Sequence, residues 1–366
     1  MEKLRILILG AKGFIGSRLS TLLKRKNIEV LEFDKDNTVD ELLSFLKQAD
    51  YVVHLAGINR PLTKEEFYQG NFDFTKTLVD LIKDNNLSLP IIMTSSIQAE
   101  LDNDYGKSKK MAEDYLLSSN LPCYIYRLSN IFGPRSRPNY NTVVATFAYN
   151  IAHDLPIKIN DGSTIINFTY VDDVCDDIIS LIENNKKEGQ KEFLTLPTTP
   201  CSLDRLTILL KYFKQEVESK RHLPYIYNDF ELKLFKTYLY FASDEGYEYN
   251  FASDERGSFE ELFKSKRFGQ ISENISFPNI TKGGHYHKYK DEIFYVVKGQ
   301  CEIVQKNIVN DDICIDITKG DEPRLVHIYP MYTHKITNIG EGNSSTLMWI
   351  SEIYNPKKHD TYKKDC

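Results

Sequence analysis

The chain has 366 residues, of which 41% are hydrophobic and 27% charged, with a formal net charge of -6. Such a chain folds, and its length favours two domains over a single core. Lysine and arginine are spread along the whole chain without a basic stripe, which argues against a nucleic-acid partner. No apolar run reaches the roughly 18 residues of a membrane span. The six cysteines form no CxxC pair, which favours reduced thiols and a cytoplasmic location.

From residue 4 to about residue 200, β-rich runs alternate with segments of helical periodicity. The runs are LRILILG, IEVLEFD, YVVHLAG, PIIMTSS and CYIYRLSN. This alternation predicts parallel strands joined by crossover helices, which is a doubly wound α/β sheet of the Rossmann type.

Beyond about residue 255 the apolar runs are short and are separated by Gly, Asn, Asp and Pro. They include EIFYVVKG, CEIVQKN, CIDIT, LVHIY and STLMWISEIY. Short strands at this spacing predict an antiparallel barrel or sandwich. The sequence therefore predicts an α/β domain over residues 1–244 and an all-β domain over residues 245–366, with the boundary within residues 240–256.

Three glycines near the start predict a dinucleotide site. Gly10, Gly13 and Gly16 follow the first strand and open a helix, so the backbone can approach a pyrophosphate at the helix N-terminus. The second strand ends at Asp34, eighteen residues after Gly16, near the expected adenosine ribose. A tight strand-to-helix turn would also explain the glycines taken alone.

A second group of polar residues follows the strand PIIMTSS. Tyr105 and Lys109 are four residues apart in YGKSK, so both side chains lie on one face if the segment is helical, and Ser96 ends the strand before it. A solvated helix face would be a sufficient explanation for the tyrosine and lysine alone. Together with the glycines and with HLAG at residues 54–57, the group resembles the extended short-chain dehydrogenases/reductases that act on nucleotide sugars.

The resemblance covers roughly residues 4–240 and includes Asn71, YRLSNIFGP at 126–134 and NFTYVDDV at 167–174. It implies that Tyr105 donates a proton, that Ser96 orients the substrate carbonyl, and that Lys109 favours the tyrosinate and holds the nicotinamide ribose. The implied substrate contacts are Ser96, Asn130 and Asn141. The implied cofactor contacts are Gly10, Lys12, Gly13, Phe14, Ile15, Gly16, Asp34, Lys35, Leu55, Ala56, Gly57 and Lys109.

Neighbouring residues favour different nicotinamide cofactors. Asp34 suits the free ribose hydroxyl of NADH and repels a 2′-phosphate. Lys12 and Lys35, in contrast, are placed to pair with such a phosphate. The family resemblance favours NADPH, with NADH as the alternative.

The segment TKGGHYHKYKDEIFYVVKG at residues 281–299 predicts a metal site. On a strand, His285 and His287 project from the same face, Glu292 begins the returning strand, and His334 lies on a further strand. Three imidazoles and a carboxylate suit Zn²⁺ or another divalent metal. The spacing resembles the cupins, although Asn279 and Met331 replace the glycines usual at two turns. His327 is interpreted as an ordinary strand residue.

The same region also resembles the sugar-nucleotide 3,5-epimerases, which are cupins that act without metal. The likeness lies in DERGSFEELF at 254–263 and TKGGHYH at 281–287. It implies that His285 is a general base and that Arg256 contacts a phosphate. His287, Glu292 and His334 together favour the metal interpretation. Further acid and base candidates are Lys282, Tyr286 and Tyr332.

The order of the two domains resembles the bifunctional CapF-type capsular polysaccharide enzymes over essentially the whole chain. The resemblance implies that the cupin domain epimerises a UDP-2-acetamido-2,6-dideoxy-4-hexulose at C3. The reductase domain would then reduce the C4 ketone with NADPH to UDP-2-acetamido-2,6-dideoxy-L-talose. The chemistry is coherent, because a 4-ketone acidifies the C3 proton and is also what a reductase consumes. A homodimer is expected.

Three alternatives remain open at this point. The cupin domain can be a non-catalytic, metal-stabilised module for binding or dimerisation. The first domain can be a redox-neutral 4-epimerase that recycles bound NAD. Finally, the same cage can hold iron, which would make the chain a metal-dependent oxygenase fused to a dehydrogenase.

Overall fold

The structure, a computed structural model, describes residues 3–184, 191–219, 222–242, 251–355 and 360–366. The chain divides into two compact units. The first comprises Met1–Lys211 and Asn228–Asp244, and the second comprises Tyr212–Tyr227 and Glu245–Cys366. The predicted boundary between residues 244 and 245 lies outside the described residues.

The first unit alternates strands and helices. The strands are β1 (Arg5–Leu9), β2 (Glu29–Phe33), β3 (Tyr51–His54), β4 (Ile91–Ser96), β5 (Cys123–Leu128), β6 (Asn130–Phe132), β7 (Ile165–Tyr170), β8 (Lys191–Leu194) and β9 (Thr199–Ser202). The helices are α1 (Phe14–Arg25), α2 (Val39–Leu46), α3 (Glu65–Phe67), α4 (Phe74–Asp84), α5 (Asp104–Ser118), α6 (Val143–Ala152), α7 (Val171–Glu183), α8 (Leu203–Lys214) and α9 (Asp229–Ala242). A π-helical segment covers Tyr68–Asp73, and a 3₁₀ turn covers Ile97–Glu100. The last three residues of α8 and a second π-helical segment, Gln215–Ser219, belong to the second unit.

A parallel sheet with the order β2-β1-β3-β4-β5-β8 forms the centre of this unit. Its strands are apolar on both faces because helices cover both. Ile8 packs on one face with Leu19 of α1 and Val174 of α7, whereas Leu9 packs on the other face with Leu78 of α4. All five side chains are fully buried. The predicted doubly wound sheet is confirmed.

The strand order places a topological switch point between β1 and β3. The connection from β1 leads outward to β2, and the chain then returns to pair β3 on the other side of β1. In such sheets ligands bind beyond the carboxyl ends of the strands at the switch point. The turns after Leu9 and after His54 therefore lie at the expected cofactor crevice. A smaller sheet has the order β6-β7-β9.

The second unit is built from antiparallel sheets, as predicted. Its strands are β10 (Phe251–Asp254), β11 (Gly257–Ser265), β12 (Gly269–Ser276), β13 (Thr281–Tyr286), β14 (Glu292–Lys298), β15 (Gln300–Asn307), β16 (Ile313–Lys319), β17 (Leu325–Ile328), β18 (Tyr332–Asn338), β19 (Ser344–Ile350) and β20 (Tyr362–Lys363). One sheet has the order β10-β11-β12-β19-β14-β17 and the other β16-β15-β18-β13-β20. This is a cupin-like architecture.

The segment between β13 and β14 crosses from one sheet to the other. The core between them contains Phe294 and Val296 of β14, Ile303 of β15 and Ile336 of β18. Because β13 and β14 belong to different sheets, residues at the end of one and the start of the other face each other across the interior. Among the helices that the structure describes, none is long and apolar enough to cross a membrane.

Candidate active sites

The glycine turn after β1 allows unusually close backbone packing. Gly10 has a left-handed φ of +83°, and a Cβ atom there would lie 2.9 Å from the backbone nitrogen of Ala56. A Cβ atom on Gly16 would lie 2.1 Å from the carbonyl oxygen of Gly10. The turn, the first residues of α1 and the segment after β3 are therefore packed together. The N-terminus of α1 has backbone N–H groups available for a pyrophosphate at this edge of the sheet.

Asp34, directly after β2, organises the neighbouring turn. Its carboxylate accepts hydrogen bonds from the backbone N–H of Lys12 at 2.8 Å and of Lys35 at 2.9 Å. The Lys12 ammonium forms an ion pair with Asp36 at 2.6 Å. Both side chains of that pair are exposed, so the pair is weak and can rearrange. The carboxylate that suits NADH and the lysine that suits NADPH are thus close together.

Ser96, Tyr105 and Lys109 are brought together at the carboxyl end of β4. Helix α5 places Tyr105 and Lys109 on one face, and the hydroxyl of Ser96 is hydrogen-bonded to Tyr105. The Lys109 ammonium donates to the backbone oxygen of Thr94 at 3.2 Å. Lys109 is 9% exposed, so this main-chain carbonyl is an important partner of its charge.

Burial tunes the ionisable groups of this cluster. It lowers the pKa of Lys109 to about 8, and the Glu113 carboxylate one turn further along α5 opposes the shift. Burial raises the pKa of Tyr105, and the hydrogen bond with Ser96 opposes that shift. Tyr105 therefore carries its proton at neutral pH, which is the state that a proton donor needs.

Asn71 connects the cofactor crevice to helix α5. Its side chain bonds the backbone nitrogen and oxygen of Ile58, each at 2.9 Å, and donates to the hydroxyl of Ser108 at 2.9 Å. A Cβ atom on Gly57 would lie 3.0 Å from the Lys109 ammonium nitrogen. The HLAG segment therefore packs directly beside Lys109.

Two predicted substrate contacts lie at the surface of the first unit. Asn130 begins β6 and lies 3.5 Å from the backbone oxygen of Asn167, and its side chain is exposed. Asn141 precedes α6 and is also exposed. Both are accessible to a ligand.

The buried charge of Lys109 generates a stability prediction. Between pH 8 and 10.5 the unfolded chain binds more protons at this lysine than the folded chain does, so its contribution to stability rises with pH. Below pH 8 the penalty is constant and complete. Lys109→Met should therefore raise the free energy of unfolding at pH 7 by roughly 1–3 kcal/mol, and the gain should shrink near pH 10.

Calorimetric melting at pH 7 and pH 10 measures this effect. Lys107→Met is the matched control, because Lys107 is exposed on the same helix, and it should change the free energy of unfolding by at most about 0.5 kcal/mol. A Lys109→Met protein that melts below the wild type at pH 7, or a gain that does not depend on pH, would contradict the buried-charge account.

The second cluster lies in the all-β unit and joins both sheets. His285 of β13 pairs with His334 of β18, and His287 follows directly after β13. Nitrogen atoms of these three imidazoles lie within 4.8 Å of one another. Glu292, the first residue of β14 in the other sheet, lies 3.3 Å from Nε2 of His287 and 3.1 Å from Nε2 of His334. The structure thus brings together the four predicted metal ligands.

A β-bulge orients the histidine strand. The pairing of β13 with β18 shifts register between Gly283 and His285, so that Gly284 is the extra residue. Gly284 has a φ of +73°, which favours glycine. The bulge turns the strand immediately before His285, and it gives a structural reason for the glycine pair in TKGGHYH.

The electrostatics of the cluster call for a cation. Nδ1 of His287 is hydrogen-bonded to the backbone oxygen of Asp360; a carbonyl only accepts, so Nδ1 carries the hydrogen. Nε2 is then unprotonated and carries a buried lone pair that faces the Glu292 carboxylate. It has no hydrogen-bond partner among the described residues. Either a proton or a metal ion must separate these two electron donors. Three nitrogens and one carboxylate fit a divalent ion such as Zn²⁺.

The pKa values in the cluster show how its charges are distributed. Burial opposes protonation of His287, but the Glu292 carboxylate raises the pKa of that imidazole overall. Burial lowers the pKa of His285 to about 4, and the neighbouring His334 and His287 add to the shift. Burial alone would raise the pKa of Glu292, but His287 and His334 hold it well below its usual range. At neutral pH the cluster therefore offers a neutral His285 imidazole and an ionised Glu292, which are the forms that bind metal.

A cavity of about 330 Å³ opens onto the histidines, and two lysines that line it differ sharply. The ammonium of Lys282, the predicted catalytic lysine, donates to Ser258, Asn274 and Ile275 at 2.8–3.3 Å and is tied into the wall. Lys290 is only 4% exposed, and its ammonium nitrogen lies 5.9 Å from the centroid of the Tyr354 ring, with no hydrogen bond found among the described residues. Sequence analysis missed Lys290; its place two residues before Glu292 was the available signal.

Two other predicted residues have partners of their own. Arg256, in the turn between β10 and β11, forms an ion pair with Asp254 at 2.6 Å. Tyr286 stacks on Tyr362 with ring centroids 5.2 Å apart. Tyr332 begins β18.

His327 and Asn338 contribute to structure around the cluster. His327 lies 2.9 Å from the carboxylate of Asp291, away from the three-histidine group, which agrees with its interpretation as a strand residue. Asn338 is fully buried and donates to the backbone oxygens of Ser276 and Gly342, each at 2.9 Å. Its amide thus fixes the turn after β18.

Comparison with known proteins agrees with this two-part organisation. Residues 6–194 match the NAD dependent epimerase/dehydratase family, and residues 252–362 match the polysaccharide biosynthesis C-terminal domain. The Pseudomonas aeruginosa protein named UDP-2-acetamido-2,6-beta-L-arabino-hexul-4-ose reductase is 36% identical over 98% of both chains. The crystal structure of the capsular polysaccharide assembling protein CapF from Staphylococcus aureus has a TM-score of 0.85 at 37% identity, covering 99% of this chain and 100% of that one.

A more distant structure shares only the fold. The UDP-glucuronic acid 4-epimerase from Bacillus cereus has a TM-score of 0.55 at 20% identity, and it covers 65% of this chain and 98% of its own. The fold and the two clusters define a nicotinamide-dependent dehydrogenase/reductase joined to a cupin-like domain. The chain belongs to the NAD-dependent epimerase/dehydratase family and, within it, to the CapF-type capsular polysaccharide enzymes.

Proposed function

We propose that this protein converts a UDP-2-acetamido-2,6-dideoxy-4-hexulose in two steps. The cupin-like unit epimerises the sugar at C3, and the first unit reduces the C4 ketone with NADPH to give UDP-2-acetamido-2,6-dideoxy-L-talose. The observation that carries the proposal is the presence of two separate polar clusters in one chain, the Ser96, Tyr105 and Lys109 group and the three-histidine group. The name of the Pseudomonas relative, a UDP-hexul-4-ose reductase, supports the substrate class.

In the reduction, a reduced nicotinamide supplies the hydride to C4. Tyr105 gives its phenolic proton to O4, and the hydroxyl of Ser96 holds the same oxygen in place. Lys109, one turn after Tyr105 on the same face of α5, would stabilise the tyrosinate that forms. The proposed cofactor contacts are the glycine turn, the HLAG segment, Lys12, Asp34 and Lys35.

In the epimerisation, the 4-ketone makes the C3 proton acidic. We assign His285, His287, Glu292 and His334 as the residues that would hold a divalent cation, with Zn²⁺ as the leading candidate, and the cation would polarise the ketone. A base must take the C3 proton on one face of the sugar and an acid must return a proton on the other, and the candidates for these two roles are Lys282, Tyr286 and Tyr332. Lys290 adds a buried positive charge to the cavity where enolate charge develops. In a metal-free mechanism the neutral imidazole of His285 would instead be the base.

We also propose a cytoplasmic homodimer. Strand β16 lies at the edge of its sheet, a position at which a further strand can pair. Three isoleucines alternate along it, and Ile313, Ile315 and Ile317 are each more than half exposed. An apolar stripe on an edge strand supports pairing with a second copy of the chain.

Tyr105→Phe should abolish reduction while leaving epimerisation intact, because it removes the proton donor and keeps the ring that packs on Phe67. In heavy water with the UDP-4-keto sugar, the variant should incorporate deuterium at C3, as seen by NMR, yet oxidise NADPH at less than about 1% of the wild-type rate. Near-normal turnover by the variant would overturn the role of Tyr105. A wild-type enzyme that interconverts 4-epimers without net NADPH oxidation would favour the redox-neutral alternative.

Variants of Asp34 and Asp36, in the turn after β2, test the preference for NADPH over NADH. We expect wild-type initial rates to be higher with NADPH than with NADH at equal concentration. Asp34→Asn should widen that preference further, because it removes the charge that repels a 2′-phosphate while an amide oxygen remains for the Lys12 N–H. Asp36→Asn is the companion variant, because it removes the ion-pair partner of the Lys12 ammonium, the group placed to pair with a 2′-phosphate. Faster turnover of the wild type with NADH would reverse the cofactor assignment.

Loss of the metal should abolish epimerisation alone. His334→Ala, or dialysis against a chelator, should remove at least about 90% of the bound metal and of deuterium incorporation at C3, since a ligand is lost. His327→Ala is the control, because that imidazole pairs with Asp291 outside the cluster. This variant should keep the bound metal and the deuterium incorporation at C3. Elemental analysis of purified wild type that finds no transition metal, together with persistent C3 exchange, would establish the metal-free mechanism instead.

A further inference from the structure

The described end of the chain, residues 360–366, is attached to the three-histidine cluster at several points. Asp360 is 8% exposed. Its carboxylate accepts three successive backbone N–H groups, from Lys288 at 3.0 Å, Tyr289 at 2.8 Å and Lys290 at 3.1 Å. Those three residues form the connection between His287 and Glu292. One carboxylate therefore fixes the backbone that separates two of the proposed metal ligands.

The main chain of Asp360 acts on the cluster as well. Its carbonyl oxygen accepts the hydrogen of His287 Nδ1, which leaves Nε2 as the electron pair that faces Glu292. The hydroxyl of Thr361 lies 3.5 Å from the same Nδ1. A hydrogen bond of this kind sets the tautomer and the ring orientation of a metal-binding imidazole.

The residues after Asp360 hold the other side of the histidine strand. Strand β20 pairs with the end of β13, where Lys363 lies opposite His285 and Tyr362 opposite Tyr286. The backbone N–H of Lys364 donates to the oxygen of Gly284, the extra residue of the bulge, at 3.1 Å. The segment is thus bonded on both sides of the His285 and His287 pair.

We propose that Asp360 is a positioning residue of the histidine cluster. Its carbonyl orients His287, and its carboxylate holds the 288–290 connection so that His287 and Glu292 converge on one ion. This inference rests on the metal-dependent epimerisation proposed above. The physical reason for its effect is that removal of the carboxylate leaves three N–H groups without their acceptor and frees the connection to move.

The test uses the full-length protein and three variants. Asp360→Ala removes the acceptor, and Asp360→Asn keeps one acceptor oxygen at the same size. Asp365→Ala is the matched control, since it removes the same charge from an exposed position in the same segment. Zn²⁺ affinity is measured by chelator competition, ligand geometry by the visible spectrum of the Co²⁺-loaded protein, and the His287 tautomer by ¹⁵N-histidine NMR of the metal-free protein.

We expect Asp360→Ala to weaken Zn²⁺ binding about 10- to 100-fold and to alter the Co²⁺ spectrum. The Nδ1–H signature of His287 should change only as far as the freed segment moves the backbone oxygen of residue 360, which the variant keeps. The Zn²⁺ affinity and Co²⁺ spectrum of Asp360→Asn should be intermediate between those of Asp360→Ala and the wild type. Those of Asp365→Ala should match the wild type. If Asp360→Ala does not fold, the Asp360→Asn protein decides by the same three measurements.

Three contradicting outcomes are distinguishable. If the wild type binds metal and the Asp360 variants keep its affinity within about twofold and keep its Co²⁺ spectrum, the role of Asp360 is contradicted. The proposed function is unaffected by that outcome. Equal losses in Asp360→Ala and Asp365→Ala would reduce the segment to a general structural role and also overturn the inference. A wild type that binds neither Zn²⁺ nor Co²⁺ overturns the metal-dependent mechanism itself, whatever the tautomer of His287.

Discussion

Both clusters depend on the same physical arrangement, an ionisable side chain that is removed from water and held by a main-chain carbonyl. The Lys109 ammonium donates to the oxygen of Thr94, and His287 Nδ1 donates to the oxygen of Asp360. A buried polar group without a partner costs several kcal/mol, so each carbonyl sets both the position and the protonation of its partner. In His287 the other ring nitrogen, Nε2, then faces Glu292.

The two units apply this arrangement to different chemistry on one functional group. In the first unit, the turn at Gly10, the phenol of Tyr105 and the ammonium of Lys109 suit hydride addition to a ketone. In the second, the imidazoles of His285 and His334 and the carboxylate of Glu292 suit polarisation of a ketone and exchange of the neighbouring proton. A 4-keto sugar satisfies both, which is why one polypeptide with two pockets is chemically coherent.

Much of the fold and the choice of the four candidate metal ligands were predictable because they rest on periodicity and short motifs. Gly10, Tyr105 and Lys109 sit within single turns or helices, where periodicity fixes which side chains share a face. Lys282 and Lys290 show the limit. Both occur beside the histidines in sequence, but only the fold shows that the Lys282 ammonium is hydrogen-bonded to three acceptors whereas the Lys290 ammonium lies over the ring of Tyr354.

By itself, the sequence determined the element types, the parallel and antiparallel architectures and the candidate chemistry, because hydrophobic periodicity and short motifs act over a few residues. Only the tertiary structure decided that Glu292, from one sheet, meets His334, from the other, and that Asp360 reaches back about seventy residues to hold the connection after His287. Contacts between residues so far apart depend on sheet pairing and register, and no local pattern encodes these.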